Sequence, residues 1–121
     1  MITFEDVKNN EEVNSLIIGA QKQLDALGYT EHATRHISIV SNRAGYVLKE
    51  LGYDEHRIEL AKIAGYMHDI GNCVNRVDHA HSGAILAYNI LKEIGMDIKD
   101  RTEIMMAIGN HDEATGTAVS D

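Results

Sequence analysis

The histidines and one adjacent aspartate are the side chains in this sequence best suited to bind a metal ion. The chain contains seven histidines, which are His32, His36, His56, His68, His79, His81 and His111. In the segment GYMHDIGN, His68 is followed directly by Asp69 at the predicted end of a helix. Imidazole nitrogen and carboxylate oxygen together suit Zn²⁺, Mn²⁺, Fe and similar ions, and the single cysteine excludes a thiolate zinc site. A His-Asp pair at a helix end can also be a simple cap, so the other histidines decide between the two interpretations.

The spacing of these histidines indicates that several of them converge. His36 shares a helix face with apolar residues at intervals of four, and His68 follows alanines at helical spacing, so both are expected to point inward. His79 lies in the first turn of a later helix, and His111 follows the last predicted helix. Buried imidazoles need partners, and one shared metal site would satisfy several at once. Four helices that each bring a histidine near one end favour a metal site over a chance cap.

For three further polar residues, a position at the surface explains the residue type as well as or better than a functional role. His56 lies in an exposed first helical turn and is predicted to be a surface residue. His81 lies two positions after His79, and a helix turns by about 200° between them, so His81 is expected to face solvent. Arg76 lies in the loop between Asp69 and His79, where it is either a phosphate-binding group or a solvated loop arginine.

Glycines and helix caps divide the chain into about five predicted helices, and no stretch alternates with a period of two. The predicted N-caps are Thr3, Thr30, Asp54 and Asp78. The predicted helix ends are Gly28, Gly52, the His68-Asp69 pair and Gly95. The last predicted helix covers about 98–110. The stripes expected to face the core include Ile37, Val40, Ala44, Val47, Leu48 and Leu51 in the second helix and Ile85, Leu86, Ile90 and Leu91 in the fourth. The sequence therefore predicts an all-α fold.

Length, composition and charge limit the classes of function. With 121 residues, 44% apolar and 25% charged, the chain is expected to form one globular domain over residues 1–121. The net charge of −8 weighs against binding to a nucleic-acid backbone, and no apolar run approaches the roughly 20 residues that span a bilayer. The lone cysteine and the lack of a signal peptide favour the cytoplasm, and an oligomer is compatible with the sequence. Because Ser120 would cap another helix, we expect the polypeptide to be a truncated piece of a longer chain.

Four segments carry a recognisable combination of motifs: HISIV from His36, MHDIGN around His68, HAHSGA from His79 and NHDEATG from Asn110. They are similar to the first histidine, the HD dipeptide about thirty residues later, and the histidine-x-x-x-glycine helix start of the HD-domain superfamily of metal-dependent phosphohydrolases. The last segment resembles the HHE segment of the HD-GYP branch, with Asn110 in place of the first histidine. The resemblance covers about residues 29–113 and implies a helical bundle whose metal ligands come from different helices.

The resemblance also implies roles for individual residues. The implied metal ligands are His36, His68, Asp69, His79 and His111. His32 is implied near the site, as a further ligand, as a donor to a ligand or as a substrate contact. Asp69 would bridge a first metal to a second, and the cofactor would be one or two divalent ions of Mn, Fe, Zn, Mg or Ni. The last aspartate of the family has no convincing counterpart here, and Asn72 replaces the lysine that often follows the HDIG motif.

The leading interpretation is hydrolysis of a small phosphate ester, a nucleotide or a related metabolite, by a metal-bound hydroxide. The residues expected to act in catalysis are Asp69 at the metals, Arg76 on the phosphate, and His111 or His32 as the proton donor to the leaving oxygen. One alternative is a metal-binding regulatory or interaction module of the same fold without turnover. Another is an iron-dependent oxygenase on the same scaffold.

Overall fold

The structure, a computed structural model, consists of helices joined by short turns over the residues that it describes. These are residues 2–28 and 33–110, with side chains described except at 33–36. The helices are α1 (Phe4–Lys8), α2 (Glu11–Ala26), α3 (Ala33–Glu50), α4 (Glu55–Met67), α5 (His79–Glu93) and α6 (Ile98–Asn110), and a 3₁₀ turn (Ile70–Cys73) lies between α4 and α5. These described stretches contain no strand, so the predicted all-α fold is confirmed. No helix among them is long and apolar enough to cross a bilayer.

The first predicted helix is in fact two helices. Thr3 and Asp6 form the expected capping box, in which the Thr3 hydroxyl accepts from the Asp6 amide at 3.2 Å and the Asp6 carboxylate accepts from the Thr3 amide at 2.9 Å. The Asn10 side chain then accepts from the Val13 amide at 2.9 Å and starts α2. Asparagine favours the N-cap position because its side chain satisfies an otherwise unpaired helical amide, so Asn10 begins a new helix.

The buried face of α3 differs from the predicted stripe, because α3 packs against α4 through small residues. Ser41 is 1% exposed and donates its hydroxyl to the Lys62 carbonyl at 2.9 Å. A Cβ added to Gly65 would lie only 3.0 Å from the Ser41 Cα, so the two backbones approach closely. Val47 and Leu51, predicted to be buried, are 47% and 68% exposed, because this small-residue contact turns them to the side.

A second packed pair is formed by α5 and α6, and the 3₁₀ turn lies between α2 and α5. The contact face of α5 is again small, with Gly83, Ala84 and Ala87 buried. Ile85 was predicted to face the core, but it is 60% exposed because these smaller residues occupy the interface. The largest fully buried side chains in the described core are Ile63, Met67, Ile70, Leu91, Ile104 and Ile108.

The predicted helix stops agree with the structure wherever it describes them. Gly28, Gly52 and Gly95 each follow a helix with φ between 87° and 94°, the left-handed conformation that glycine adopts without a steric penalty. Asp54 caps α4 by accepting from the Arg57 amide at 3.0 Å. The predicted cap Thr30 lies outside the described residues.

Candidate metal centre

His68 is held at the end of α4 so that one defined ring nitrogen faces Asp69. It directly follows Met67, the last residue of α4. Its Nδ1 lies 2.7 Å from the carbonyl oxygen of Gly65. A carbonyl can only accept a hydrogen bond, so Nδ1 carries the hydrogen and the lone pair of the neutral ring is on Nε2. That Nε2 lies 3.2 Å from Oδ2 of Asp69.

His79 faces the other oxygen of the same carboxylate. It is the first residue of α5, and its side chain is 4% exposed. Its Nδ1 lies 3.2 Å from the carbonyl oxygen of Arg76, which again places the hydrogen on Nδ1. Its Nε2 lies 3.4 Å from Oδ1 of Asp69. Asp69 therefore directs one carboxylate oxygen to each of two histidines that come from different helices.

The arrangement of these three side chains favours a cation between them. With the hydrogen on Nδ1, Nε2 of each ring offers a lone pair, as both Asp69 oxygens do, and these atoms face each other at 3.2 and 3.4 Å. Acceptors at these distances repel unless a proton or a metal ion lies between them. The donor set of imidazole nitrogen and carboxylate oxygen is that of first-row divalent metals. The backbone bonds at Nδ1 are the contacts that orient metal-binding histidines in proteins.

The described part of this centre is not a complete metal site. Among the described side chains, no group of three or more His, Cys, Asp or Glu residues is arranged to hold a metal ion alone. His36 belongs to α3, but its side chain is not described, and His32 and His111 lie outside the described residues. The predicted ligands that the structure brings together are thus His68, Asp69 and His79.

Close backbone packing fixes the HD dipeptide relative to His79. A Cβ on Gly71 would lie 1.8 Å from the His79 carbonyl oxygen and 2.6 Å from the Gly83 amide nitrogen. The 3₁₀ turn can therefore approach α5 only because residue 71 has no side chain. Gly83 serves the same contact from α5, since its own Cβ would lie 3.1 Å from the Gly71 nitrogen. This contact gives a physical reason for the glycine in HDIG and for the glycine four residues after His79.

Asp78 positions His79 by its backbone and not, as predicted, by a capping side chain. Its φ and ψ are 58° and 28°, the left-handed region, and its side chain makes no capping hydrogen bond. Aspartate tolerates this conformation better than most residues. The reversal of the chain at Asp78 carries His79 directly into the first turn of α5.

Sequence reasoning missed the role of Asn72, which it noted only as a departure from lysine. Asn72 is 1% exposed. Its Nδ2 donates to the Asp69 carbonyl at 2.9 Å, and its Oδ1 accepts from Nη1 of Arg76 at 3.2 Å. Because the Arg76 carbonyl accepts from His79, three hydrogen bonds connect Asp69, Asn72, Arg76 and His79 in a chain whose two ends face each other at the Asp69 carboxylate. In the sequence, the one indication of this contact was that Asn72 and Arg76 are four residues apart.

Burial perturbs two titratable groups that flank the centre. Tyr66 precedes His68 by two residues and donates its hydroxyl to Asn14 Oδ1 at 2.8 Å, which ties the end of α4 to α2. Burial raises the pKa of Tyr66 above its ordinary value of 10.0. Burial likewise raises the pKa of the Cys73 thiol above 9.0. Both groups are therefore neutral near pH 7 and serve as structural neighbours of the centre.

A groove of about 930 Å³ begins at His68 and runs between α3, α4 and α6. Its lining is mostly aliphatic and includes Ala44, Ala61 and Ala64, whose short side chains leave it open. The groove reaches Arg57 in the first turn of α4, roughly 16 Å from His68 at 1.5 Å per helical residue. His68 can therefore be reached from a space of the size that small ligands occupy.

The two histidines assigned to the surface lie away from the centre. His81 is exposed on α5, as predicted. His56 is partly buried, because its Nε2 lies 2.9 Å from the Asp100 carboxylate and connects α4 to α6. Its side chain is nevertheless 37% exposed, so His56 lies at the surface as predicted, and the structure adds its contact with Asp100.

Comparison with known proteins identifies the family. Residues 34–118 match the HD domain family. The uncharacterized protein MJ1020 of Methanocaldococcus jannaschii is 30% identical over 132 residues, which cover 91% of this chain and 51% of that protein. Ribonuclease Y of Lawsonia intracellularis is 36% identical over 89 residues, 73% of this chain and 15% of that protein. Ribonuclease Y of Acetivibrio thermocellus is 35% identical over 83 residues, 69% of this chain and 14% of that protein.

The chain spans about half the length of the first of these relatives and a much smaller share of the two ribonucleases. No solved structure matches it significantly. The family match nevertheless covers most of the chain, including the HD dipeptide and the histidine that begins α5. On this evidence the chain belongs to the HD domain family.

Proposed function

We propose that this HD domain is a metal-dependent phosphohydrolase that acts on a nucleotide or another small phosphate ester. The observation that carries the proposal is the Asp69 carboxylate, whose two oxygens face the Nε2 atoms of His68 and His79 at 3.2 and 3.4 Å. The groove that begins at His68 supplies room for a substrate of this size. Membership of a family of metal-dependent phosphohydrolases supports the same reaction class.

In this proposal His36, His68 and Asp69 would hold one divalent metal, and His79 and His111 would hold a second if one is present. When bound, a divalent ion polarises the phosphoryl group and makes water a stronger nucleophile. The backbone bonds at Nδ1 keep the two described histidines oriented for this role. His111 or His32 would give a proton to the leaving oxygen.

The test is metal content together with hydrolysis of phosphate esters. The protein is loaded separately with Mn²⁺, Fe²⁺, Zn²⁺, Mg²⁺ and Ni²⁺, and phosphate release is measured from a generic ester and from nucleotides. We expect one or two bound ions, and we expect His68→Ala and Asp69→Ala each to lower activity at least about 100-fold, because each removes a ligand. His81→Ala is the matched control, since His81 is exposed on the helix that His79 begins. A loaded site that hydrolyses no phosphate ester would contradict the proposal and favour a metal-binding module without turnover.

A phosphodiester of RNA is a second candidate substrate, favoured by the similarity to ribonuclease Y. The net charge of −8 argues against it, because binding along a nucleic-acid backbone depends on basic groups that neutralise phosphates. A short RNA oligonucleotide therefore belongs in the same assay. We expect faster hydrolysis of mononucleotides, and preferential cleavage of the oligonucleotide would reverse this order.

A further inference from the structure

We infer that Asn72 is a positioning residue that holds the guanidinium of Arg76 as the phosphate-binding group of the centre. The inference rests on the proposed function and adds to it a specific pair of residues. The two side chains differ in their burial. Asn72 is buried at 1% exposure, whereas Arg76 is exposed.

The buried amide of Asn72 bonds two different partners. Its Nδ2 donates to the carbonyl of Asp69 at 2.9 Å, and its Oδ1 accepts from Nη1 of Arg76 at 3.2 Å. A buried amide that lost either partner would carry the cost of an unsatisfied polar group. Asn72 therefore holds the backbone of a proposed metal ligand and the side chain of an arginine at the same time.

Arg76 is tied to the centre from its backbone as well. Its carbonyl accepts from Nδ1 of His79 at 3.2 Å and from the His79 amide at 3.3 Å. The side chain that carries the positive charge and the carbonyl that orients His79 thus belong to one residue. A guanidinium fixed in this way offers planar, paired donors suited to phosphate oxygens. Because Asn72 orders it in advance, less side-chain entropy is lost when an anion binds.

The chemistry at position 72 explains why an amide is suitable there. A carboxylate would add negative charge beside Asp69, and an apolar side chain would remove the side-chain bonds to the Asp69 carbonyl and to the Arg76 guanidinium. An asparagine supplies one donor and one acceptor in opposite directions without charge. The positive charge that meets the phosphate then comes from the loop residue Arg76.

The test compares Asn72→Ser, Arg76→Ala and the double variant in the metal-loaded protein. A serine hydroxyl can still reach the carbonyl three residues back, but it is too short to replace the bond to Arg76. We expect Arg76→Ala to raise KM for a phosphate ester and the inhibition constant of inorganic phosphate about tenfold or more, with kcat less affected. Asn72→Ser should raise KM and the inhibition constant roughly threefold in the otherwise wild-type protein. In the Arg76→Ala background, it should raise them less than about twofold.

A second readout does not depend on a metal. In the metal-free protein, ¹⁵N relaxation of the Arg76 Nε–H group reports the order of the side chain. We expect an ordered group in the wild type and a mobile one in Asn72→Ser, with thermal unfolding showing that both proteins are folded. Asn75→Ala is the matched control, because Asn75 lies in the same loop and bonds the Val77 amide. It should leave KM, phosphate inhibition and Arg76 relaxation unchanged.

The outcomes separate this inference from the proposed function. Hydrolysis by the wild type with unchanged constants in Arg76→Ala would overturn the inference alone. Additive effects of the two substitutions would overturn the role of Asn72, because they would then act independently. A wild type that neither hydrolyses phosphate esters nor binds inorganic phosphate would overturn both. Phosphate binding that depends on Arg76 without hydrolysis would support the inference and contradict the proposed function.

Discussion

Two backbone carbonyls, those of Gly65 and Arg76, determine which nitrogen each histidine directs at Asp69. Each accepts from an Nδ1, at 2.7 Å for His68 and 3.2 Å for His79. The local chain thereby fixes both the tautomer and the ring orientation. Histidines oriented in this way present Nε2 to a ligand without first having to reorganise, which strengthens metal binding.

The tautomers are a direct prediction at the scale of the residue. In the Zn²⁺-loaded protein, we expect long-range ¹H–¹⁵N correlation NMR to show His68 and His79 with the hydrogen on Nδ1. The diamagnetic ion allows this measurement, and both backbone bonds require this tautomer. His81 is the internal control, because it is exposed and should show the mixture of tautomers of a solvated imidazole. A hydrogen on Nε2 of either His68 or His79 would be incompatible with the structure.

The sequence was sufficient to select His68, Asp69 and His79 as candidate ligands, which the structure brings together, but it did not indicate Asn72. The first three stand out because their residue types bind metals and because each lies at the end or the start of a predicted helix. Asn72 belongs to a common residue type in a turn, where solvent exposure is the ordinary expectation. Its burial and its two hydrogen bonds depend on the 3₁₀ turn packing against α5, which no local pattern indicates.

At the scale of the element, the centre depends on glycine contacts between backbones. The 3₁₀ turn meets α5 at Gly71 and Gly83, and α3 meets α4 at Gly65. Hydrophobic periodicity predicted where the helices are, but it misplaced part of the buried face of α3 and α5, because it treats glycine and serine as gaps in a stripe. In α3 the residues that pack closest are Ser41 and Gly45, and in α5 they include Gly83.

The contact of the 3₁₀ turn with α5 predicts a large effect of Gly71→Ala. The new Cβ would lie 1.8 Å from the His79 carbonyl oxygen and 2.7 Å from its carbon, both backbone atoms that cannot rotate away. We expect a loss of more than about 3 kcal/mol in the free energy of unfolding, measured with urea, because the turn must separate from α5. Zn²⁺ affinity should fall at the same time, since Asp69 and His79 move apart.

The matched control for this prediction is Gly109→Ala in α6. A Cβ at residue 109 would lie 3.5 Å from the Ala84 Cβ, an ordinary van der Waals distance. Alanine is favoured over glycine inside a helix, so we expect the free energy of unfolding to rise by about 0.5–1 kcal/mol. Equal effects of the two substitutions would show that the close approach at Gly71 is not the cause.

At the scale of the molecule, α4 and α6 are connected at the end remote from the candidate centre. His56 bonds Asp100, and Arg57 forms an ion pair with Glu103, while His68 lies at the other end of α4. Surface ion pairs of this kind contribute little singly, so the buried apolar side chains between them supply most of the stability. The arrangement leaves the centre at the end of the bundle where α4, the 3₁₀ turn and α5 meet.

One buried charge in this bundle is used by neither proposal. Arg101 in α6 is 9% exposed, and its guanidinium carbon lies 4.8 Å from the ring centre of Tyr88 in α5. Its Nε and Nη1 atoms are buried and have no hydrogen-bond partner among the described residues. Each unsatisfied buried donor costs about 1–3 kcal/mol, whereas a cation–π contact returns about 0.5–2 kcal/mol. The balance predicts that Arg101 destabilises the fold.

Arg101→Met therefore should raise the free energy of unfolding by about 1 kcal/mol or more, because methionine keeps the packing against Tyr88 and removes the unpaired charge. Urea unfolding monitored by circular dichroism measures the change. Lys99→Met is the control, since Lys99 is exposed in the same helix and should change stability by less than about 0.5 kcal/mol. A destabilised Arg101→Met with an unchanged control would show that the guanidinium has an acceptor beyond the described residues. Removing one partner of a buried ion pair is costly. The sign of the change in the free energy of unfolding therefore decides whether the Arg101 guanidinium is unpaired or bonds an acceptor.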